Sequence, residues 1–309
     1  PTRKPRSVWY GQEQSPLFRK IPPEVRNSIF CLALHEYEDP EHMYARDTYY
    51  TRPGFMARKK LDTSLLRTCK RIWEETQNVI WQNLEVAFFL GNPLRSPPEY
   101  GPPEYDCKGI YTLKRYWRFT PAQWSRIQHV RFISPSWALD AYMIFRIFFG
   151  DEPNFQHLRP KSITLTLRYT DWQQWHRNAA PLLPDKWFRR VIFPKSVEVV
   201  RMELETIVDK EKELDAEIDE VLQSPWLNYG RRDGMELVLS QTQQAIQEWK
   251  WAGPTTFGDG KKFAHHGEGA EMWYVVKVLT WTLDEAGGVK PFIIRVAETN
   301  QRDVADGCL

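Results

Sequence analysis

The 309-residue chain has no stretch approaching the roughly 18 uncharged apolar residues of a membrane span. Its longest candidate, Ala138 to Phe149, is too short and carries Asp140 and Arg146, so a transmembrane helix is excluded from the reading. Cysteine is scarce: Cys31, Cys69, Cys107 and Cys308 stand far apart, and none forms a C-x-x-C pair. That spacing fits neither a zinc framework nor a disulfide-stapled miniprotein. No secretory signal pattern is visible, and the thiols read as the reduced thiols of a cytoplasmic or nuclear protein. Net charge is nearly absent as well, with 42 basic against 40 acidic residues for a formal +2. A whole-chain polyanion binder is therefore not expected.

Catalytic signatures are missing too. There is no G-x-S-x-G of a serine hydrolase and no H-E-x-x-H of a zinc protease. His266-x-Glu268 matches half of the zinc-deaminase signature, but the required downstream P-C-x-x-C is absent. The run Gly253-Pro254-Thr255-Thr256-Phe257-Gly258 would need lysine next to cradle phosphate; Asp259 stands there, and a carboxylate repels phosphate. Residues 253–272 thus read as a long surface loop that lines a recognition surface at most. The expectation is a non-enzyme without metal or cofactor.

What is abundant is proline and tryptophan, 22 and 14 residues, within a chain that is 42% hydrophobic and 27% charged. That balance suits a globular protein with long irregular connections and large aromatic anchors. Residues 1–15 are polar, basic and proline-bearing, a flexible arm. Pro22 and Pro23 suit a helix start and Glu24 its positive end; Val25, Ile29 and Leu32 then fall at i, i+4, i+7. The pattern predicts a helix over about 23–34. Residues 35–60 form a polar, tyrosine-rich, basic insert. A second helix is expected from an Asp62 N-cap, its stripe running through Leu65, Cys69, Ile72, Thr76 and Val79 into a buried strand at Leu84–Leu90.

The proline-rich stretch 91–107 reads as a linker between this 16–90 helical unit and an α/β domain over 108–309. Strand-like runs lie at Ile127–Ile133, Ser162–Arg168, Ser196–Glu203, Trp273–Trp281 and Phe292–Val296. Helical stretches are expected at about 136–149, from Asp171, over 203–223 (Leu204, Ile207, Leu214, Ile218, Val221 on one stripe) and over 235–250. The spacing of the first three runs is that of βαβ units. The fold class is mixed α/β: an N-terminal helical unit followed by an open, partly parallel sheet.

Two local signals bear on partners. The order Leu17, Phe18, Ile21, Pro22, Glu24, Val25, Ile29, Leu32, and then Leu65-Leu66-Arg67-Thr68-Cys69-Lys70-Arg71-Ile72-Trp73, resembles the first and closing helices of F-box domains, most closely the F-box-like proteins of filamentous fungi. The resemblance covers about residues 16–90. It implies docking on the Skp-type adaptor of a cullin–RING ubiquitin ligase through Leu17, Ile21, Pro22, Val25 and Ile29, with an unknown protein substrate held by the C-terminal part. The insert at 35–60 departs from a compact F-box and would either preserve the fold or cover that face. Separately, Pro97-Pro98-Glu99-Tyr100 and Pro102-Pro103-Glu104-Tyr105 are two copies of the P-P-x-Y pattern read by WW domains.

Two other readings stay open. Eight basic side chains between Arg46 and Arg71, with the aromatic-basic runs 111–119 and 172–177, would suit a nucleic-acid-associated protein. A self-contained scaffold would bury the F-box-like helices in its own core.

Overall fold

The computed structural model describes residues 12–102, 109–138, 155–183, 191–223, 228–239, 246–258 and 260–283. The chain opens with a short helix α1 (Pro16–Arg19) and then α2 (Pro23–Ala33), which Pro22 and Pro23 start and Glu24 supports in its first turn. The buried stripe of α2 is Arg26, Phe30 and, just past its end, Leu34. Val25, Ile29 and Leu32, the apolar face read from the sequence, are exposed.

The insert is built into the protein. It opens with strand β1 (Tyr37–Met43), which pairs antiparallel with β2 (Ala57–Lys60). Between them the chain places Arg52 and Phe55 in the interior. The expected long second helix is divided: a 3-10 turn (Ser64–Arg67), α3 (Lys70–Thr76) and α4 (Val79–Asn83). Asp62 accepts from the Ser64 backbone N–H at 2.7 Å, yet Thr68 and Thr76 bond back to the carbonyls of Leu65 and Ile72 and loosen the helical ladder. Ile72, Thr76 and Val79 are nonetheless buried, as their spacing predicts.

Strand β3 (Glu85–Leu90) belongs to the large sheet rather than to the helical unit that precedes it. The proline-rich segment corrects the reading of a bare linker, since β4 (Tyr100–Gly101) pairs antiparallel with β5 (Ile110–Leu113), which itself pairs with β3. After the short α5 (Pro121–Trp124), strands β6 (His129–Ile133) and β7 (Ser162–Leu167) continue the sheet. Next come β8 (Ile192–Phe193), β9 (Val199–Ile207), α6 (Glu211–Gln223), β10 (Tyr229–Arg231) and β11 (Glu236–Leu239). Last are β12 (Ile246–Pro254), the small hairpin β13 (Thr256–Phe257) with β14 (Lys261–Lys262), and β15 (Glu271–Leu283).

Eleven strands form one mixed sheet in the order β4-β5-β3-β6-β7-β9-β15-β11-β10-β8, with β12 also paired to β15. The centre β3-β6-β7-β9 is parallel, and its flanks are mostly antiparallel. The mixed α/β class holds, with few helices among the described residues.

Two expected helices are corrected. Leu204 and Ile207 lie on β9, and the helix starts only at Glu211. The 235–250 stretch contains β11 and the start of β12, because Trp249 and Trp251 alternate with polar residues at the period of a strand and Trp251 stacks on Tyr274 across the ladder. The helix expected at 136–149 and the strand at 292–296 lie outside the described residues, apart from a 3-10 turn at Ser136–Ala138.

The parallel centre has two unlike faces. One carries Val86, Phe88, Val130, Phe132, Ile163, Leu165, Val200, Met202 and Leu204, all buried, with Phe88 against Trp124 and Phe155. Each such side chain contributes about 1.5–3 kcal/mol by leaving water. The other face carries Glu85, Arg131, Thr166, Glu203 and Glu205, and the insert covers part of it.

Candidate functional site

The α2 region is fixed by a clamp. Arg26, 5% exposed, donates from Nε and Nη2 to the two carboxylate oxygens of Glu75 on α3, at 3.0 and 2.9 Å. Its Nη1 donates to the Ile21 carbonyl at 2.9 Å. Phe18 lies under both Arg26 and Arg71, with ring centroids 5.3 and 4.2 Å from the guanidinium carbons. Burial pushes the Glu75 carboxyl pKa up, but the hydrogen bonds from Arg26 and Arg71 outweigh it and hold it below the ordinary value.

This planar bidentate pair sets the angle of α2 against α3 and so decides what α2 turns outward. Val25, Ile29 and Leu32 are 50%, 41% and 78% exposed. Pro22 is exposed, while Leu17 and Ile21 are half-buried. Trp73 on α3 is also exposed. The insert lies over the large sheet: Arg168 donates to the Tyr49 carbonyl at 2.8 Å, and the Gly258 backbone N–H donates to the Asp47 carbonyl at 2.7 Å. Gly258 has φ +43°, and a Cβ there would stand 2.5 Å from the Tyr49 ring, so glycine permits this approach.

The P-P-x-Y reading is corrected at its first copy. Tyr100 is 7% exposed, its ring edge-on to Phe89 with centroids 4.9 Å apart, and burial raises its phenol pKa. Pro97 is buried as well; its carbonyl accepts from the Tyr100 N–H at 3.0 Å, closing a turn where a WW domain needs an open polyproline ridge. Pro98 and Pro102 are exposed. Pro103 and Tyr105, which complete the second copy, lie outside the described residues.

Most of the basic block is paired with acids of the same chain. Arg52, 3% exposed, reaches Glu203 and Glu205 at 3.5 Å each. Arg46 pairs with Glu271, Lys59 with Glu38, Lys60 with Asp39, Lys70 with Glu74 and Arg71 with Glu75. Six of the eight cations that suggested a nucleic-acid surface thus have acid partners.

Across the polar sheet face the pairs run in series. Glu85 and Glu203 both bond Arg131, at 2.7 and 2.6 Å, and Glu203 continues to Arg52 and thence to Glu205. Burial pushes the Glu203 carboxyl up, but Arg131 and then Arg52 prevail and hold its pKa at about 2. Burial raises that of Glu205. A second cluster ties Arg168 and Arg95 to Asp171, both at 2.6 Å. Arg52 Nε and Nη1 and Thr170 Oγ1 are buried without a protein partner beside a cavity of about 10 Å³. Another cavity, at His129, Ser162 and Arg201, measures about 20 Å³. Both are water-sized, far below the hundreds of cubic ångströms of a metabolite pocket.

The glycine-rich segment is held down rather than open. His266 is buried; its Nδ1 lies 2.7 Å from the Thr255 carbonyl and its Nε2 3.0 Å from the Tyr169 hydroxyl. Glu268 is exposed and does not join His266 in a shared site. Asp39, Glu41 and His42 bring ligand atoms within 4.8 Å of one another on β1, but the Lys60 ammonium stands 3.5 Å from Asp39.

Sequence reasoning missed the Arg26–Glu75 clamp and the role of Tyr169. The only signal for the clamp was Arg26 at helical spacing with Phe30. No helix among the described residues is long and apolar enough to cross a membrane. Compared with known family models, curated proteins and solved structures, the chain matches none.

Proposed function

We propose that the protein is a non-catalytic F-box-like recognition subunit. It docks a Skp-type adaptor of a cullin–RING ubiquitin ligase on the outer face of α2 and holds a protein substrate with its sheet domain. The observation that carries this reading is the outward stripe Val25, Ile29 and Leu32, three apolar side chains at helical spacing left in water on a helix that the Arg26–Glu75 clamp keeps in place. An amphipathic helix offering such anchors is the ligand of a hydrophobic groove. Leu17 on α1 and Ile21 just before α2 are half-buried, and the insert's contacts are with the large sheet. The scaffold reading requires these residues covered, and six of the eight cations behind the nucleic-acid reading are paired with acids.

The test is co-expression with a Skp-type adaptor followed by size-exclusion chromatography, with Val25→Asp/Ile29→Asp as control. Co-elution lost in the double variant supports the docking face. A wild type that elutes alone while well folded overturns it.

A further inference from the structure

Outside the α2 face, and apart from the acidic cluster on β1, a further group of side chains converges as metal ligands do. The Tyr169 hydroxyl lies 2.7 Å from His265 Nε2 and 3.0 Å from His266 Nε2, so two imidazoles from one 3-10 turn flank a single phenol oxygen from the 3-10 turn that follows β7. The His266 tautomer follows from its other nitrogen: a carbonyl can only accept, so Nδ1 carries the proton to Thr255 and Nε2 presents its lone pair to Tyr169. A ring locked through Nδ1–H···O=C with Nε2 turned inward is how proteins orient a histidine ligand. The Tyr169 hydroxyl then donates to His266, and His265 Nε2–H donates to the Tyr169 oxygen.

We propose that His265, His266 and Tyr169 bind one borderline divalent transition-metal ion of the Zn²⁺ type. Imidazole nitrogens suit such ions, at about 2.0–2.1 Å. Around a tetrahedral ion at that distance ligand atoms stand roughly 3.3 Å apart, a few tenths of an ångström more than the hydrogen-bonded spacings here. The proton balance is simple. His265 moves its proton from Nε2 to Nδ1, and Tyr169 releases its hydroxyl proton to solvent as its oxygen joins the ion, one proton per ion bound.

The surroundings favour this chemistry. Trp175, Phe257 and Phe263 wall His266, with ring centroids at 6.3, 5.7 and 5.3 Å, and limit competing water. The nearby Lys210 ammonium is tied to Glu213 at 2.9 Å and to the Asn178 carbonyl at 2.8 Å, which offsets its repulsion. His265 is half-exposed and opens the site to solvent.

The test is calorimetric titration of the chelator-treated full chain with Zn²⁺, with Co²⁺ absorption as a spectroscopic readout. The expected result is one ion per chain, weakened at least about tenfold by His265→Ala and by His266→Gln. Proton release of one per ion, measured in buffers of different ionisation enthalpy, should vanish in Tyr169→Phe. Asp39→Asn, at the rival cluster on β1, should change nothing. Because His266 is buried, the half-exposed His265 carries the test if His266→Gln fails to fold. Absence of Zn²⁺ binding by the wild type overturns the proposal. So does undiminished binding in folded His265→Ala, or loss only in Asp39→Asn.

Discussion

At Arg26 a guanidinium lies almost wholly out of water, and its charge is met by a carboxylate 49 residues away. The two ends of this pair are unequal, because the Glu75 side chain is 29% exposed and that of Arg26 only 6%. Glu75→Ala strands a buried charge and should cost about 3 kcal/mol in urea unfolding. Arg26→Leu leaves a carboxylate that water can reach and should cost clearly less; an equal or larger loss would refute this asymmetry. Tyr100→Ala should cost about 3 kcal/mol by emptying a core position, although the residue looks like part of a surface motif. A midpoint unchanged from wild type would return Tyr100 to the surface. Neither role was legible locally. A lone arginine in a helix reads as solvated, and Pro-Pro-Glu-Tyr reads as an extended ligand; what decides both is a distant partner, Glu75 for one and Phe89 for the other.

At the scale of elements, much was legible. Pro22, Pro23 and Glu24 placed the start of α2, and runs of β-branched and aromatic residues placed β3, β6, β7 and β15 nearly to their ends. The misreadings share a cause. Glu203 and Glu205 made the end of β9 look like a polar helix, and Glu248 and Lys250 did the same for β12. On β9 the charges are neutralised by Arg131 and Arg52, and on β12 Lys250 bonds Glu211 of α6 at 2.8 Å. For α2 the sequence pattern named the right apolar residues but not which way they face, since Arg26 completes the buried stripe. Val25→Asp/Ile29→Asp should therefore shift the stability of the protein by no more than about 0.5 kcal/mol, the usual range for surface changes. A loss of several kcal/mol by circular dichroism would show the stripe to be core.

Across the whole molecule, the buried charges predict a pH response. Burial holds the imidazoles of His35, His129, His265 and His266 below 6.5, so below that pH the unfolded chain binds more protons than the folded one. The urea midpoint should fall as pH drops from about 7 to about 5.5. Glu203, held at about 2, adds stability that is full above 4.5 and lost as pH falls toward 2. Glu36 and Glu205, raised by burial, act in the opposite sense and soften the decline near 4.5. A midpoint that stays level or rises between about pH 7 and 5.5 would contradict this assignment of neutral imidazoles.

The outward face of α2 is tested most directly by titrating a purified Skp-type adaptor into the folded protein in a calorimeter, then into Val25→Asp/Ile29→Asp at matched stability. The predicted result is saturable binding at one adaptor per chain, weakened at least roughly a hundredfold by the paired substitution, as expected when two central apolar anchors are lost. No binding by the wild type, or equal affinity in the variant, would contradict docking through Val25 and Ile29.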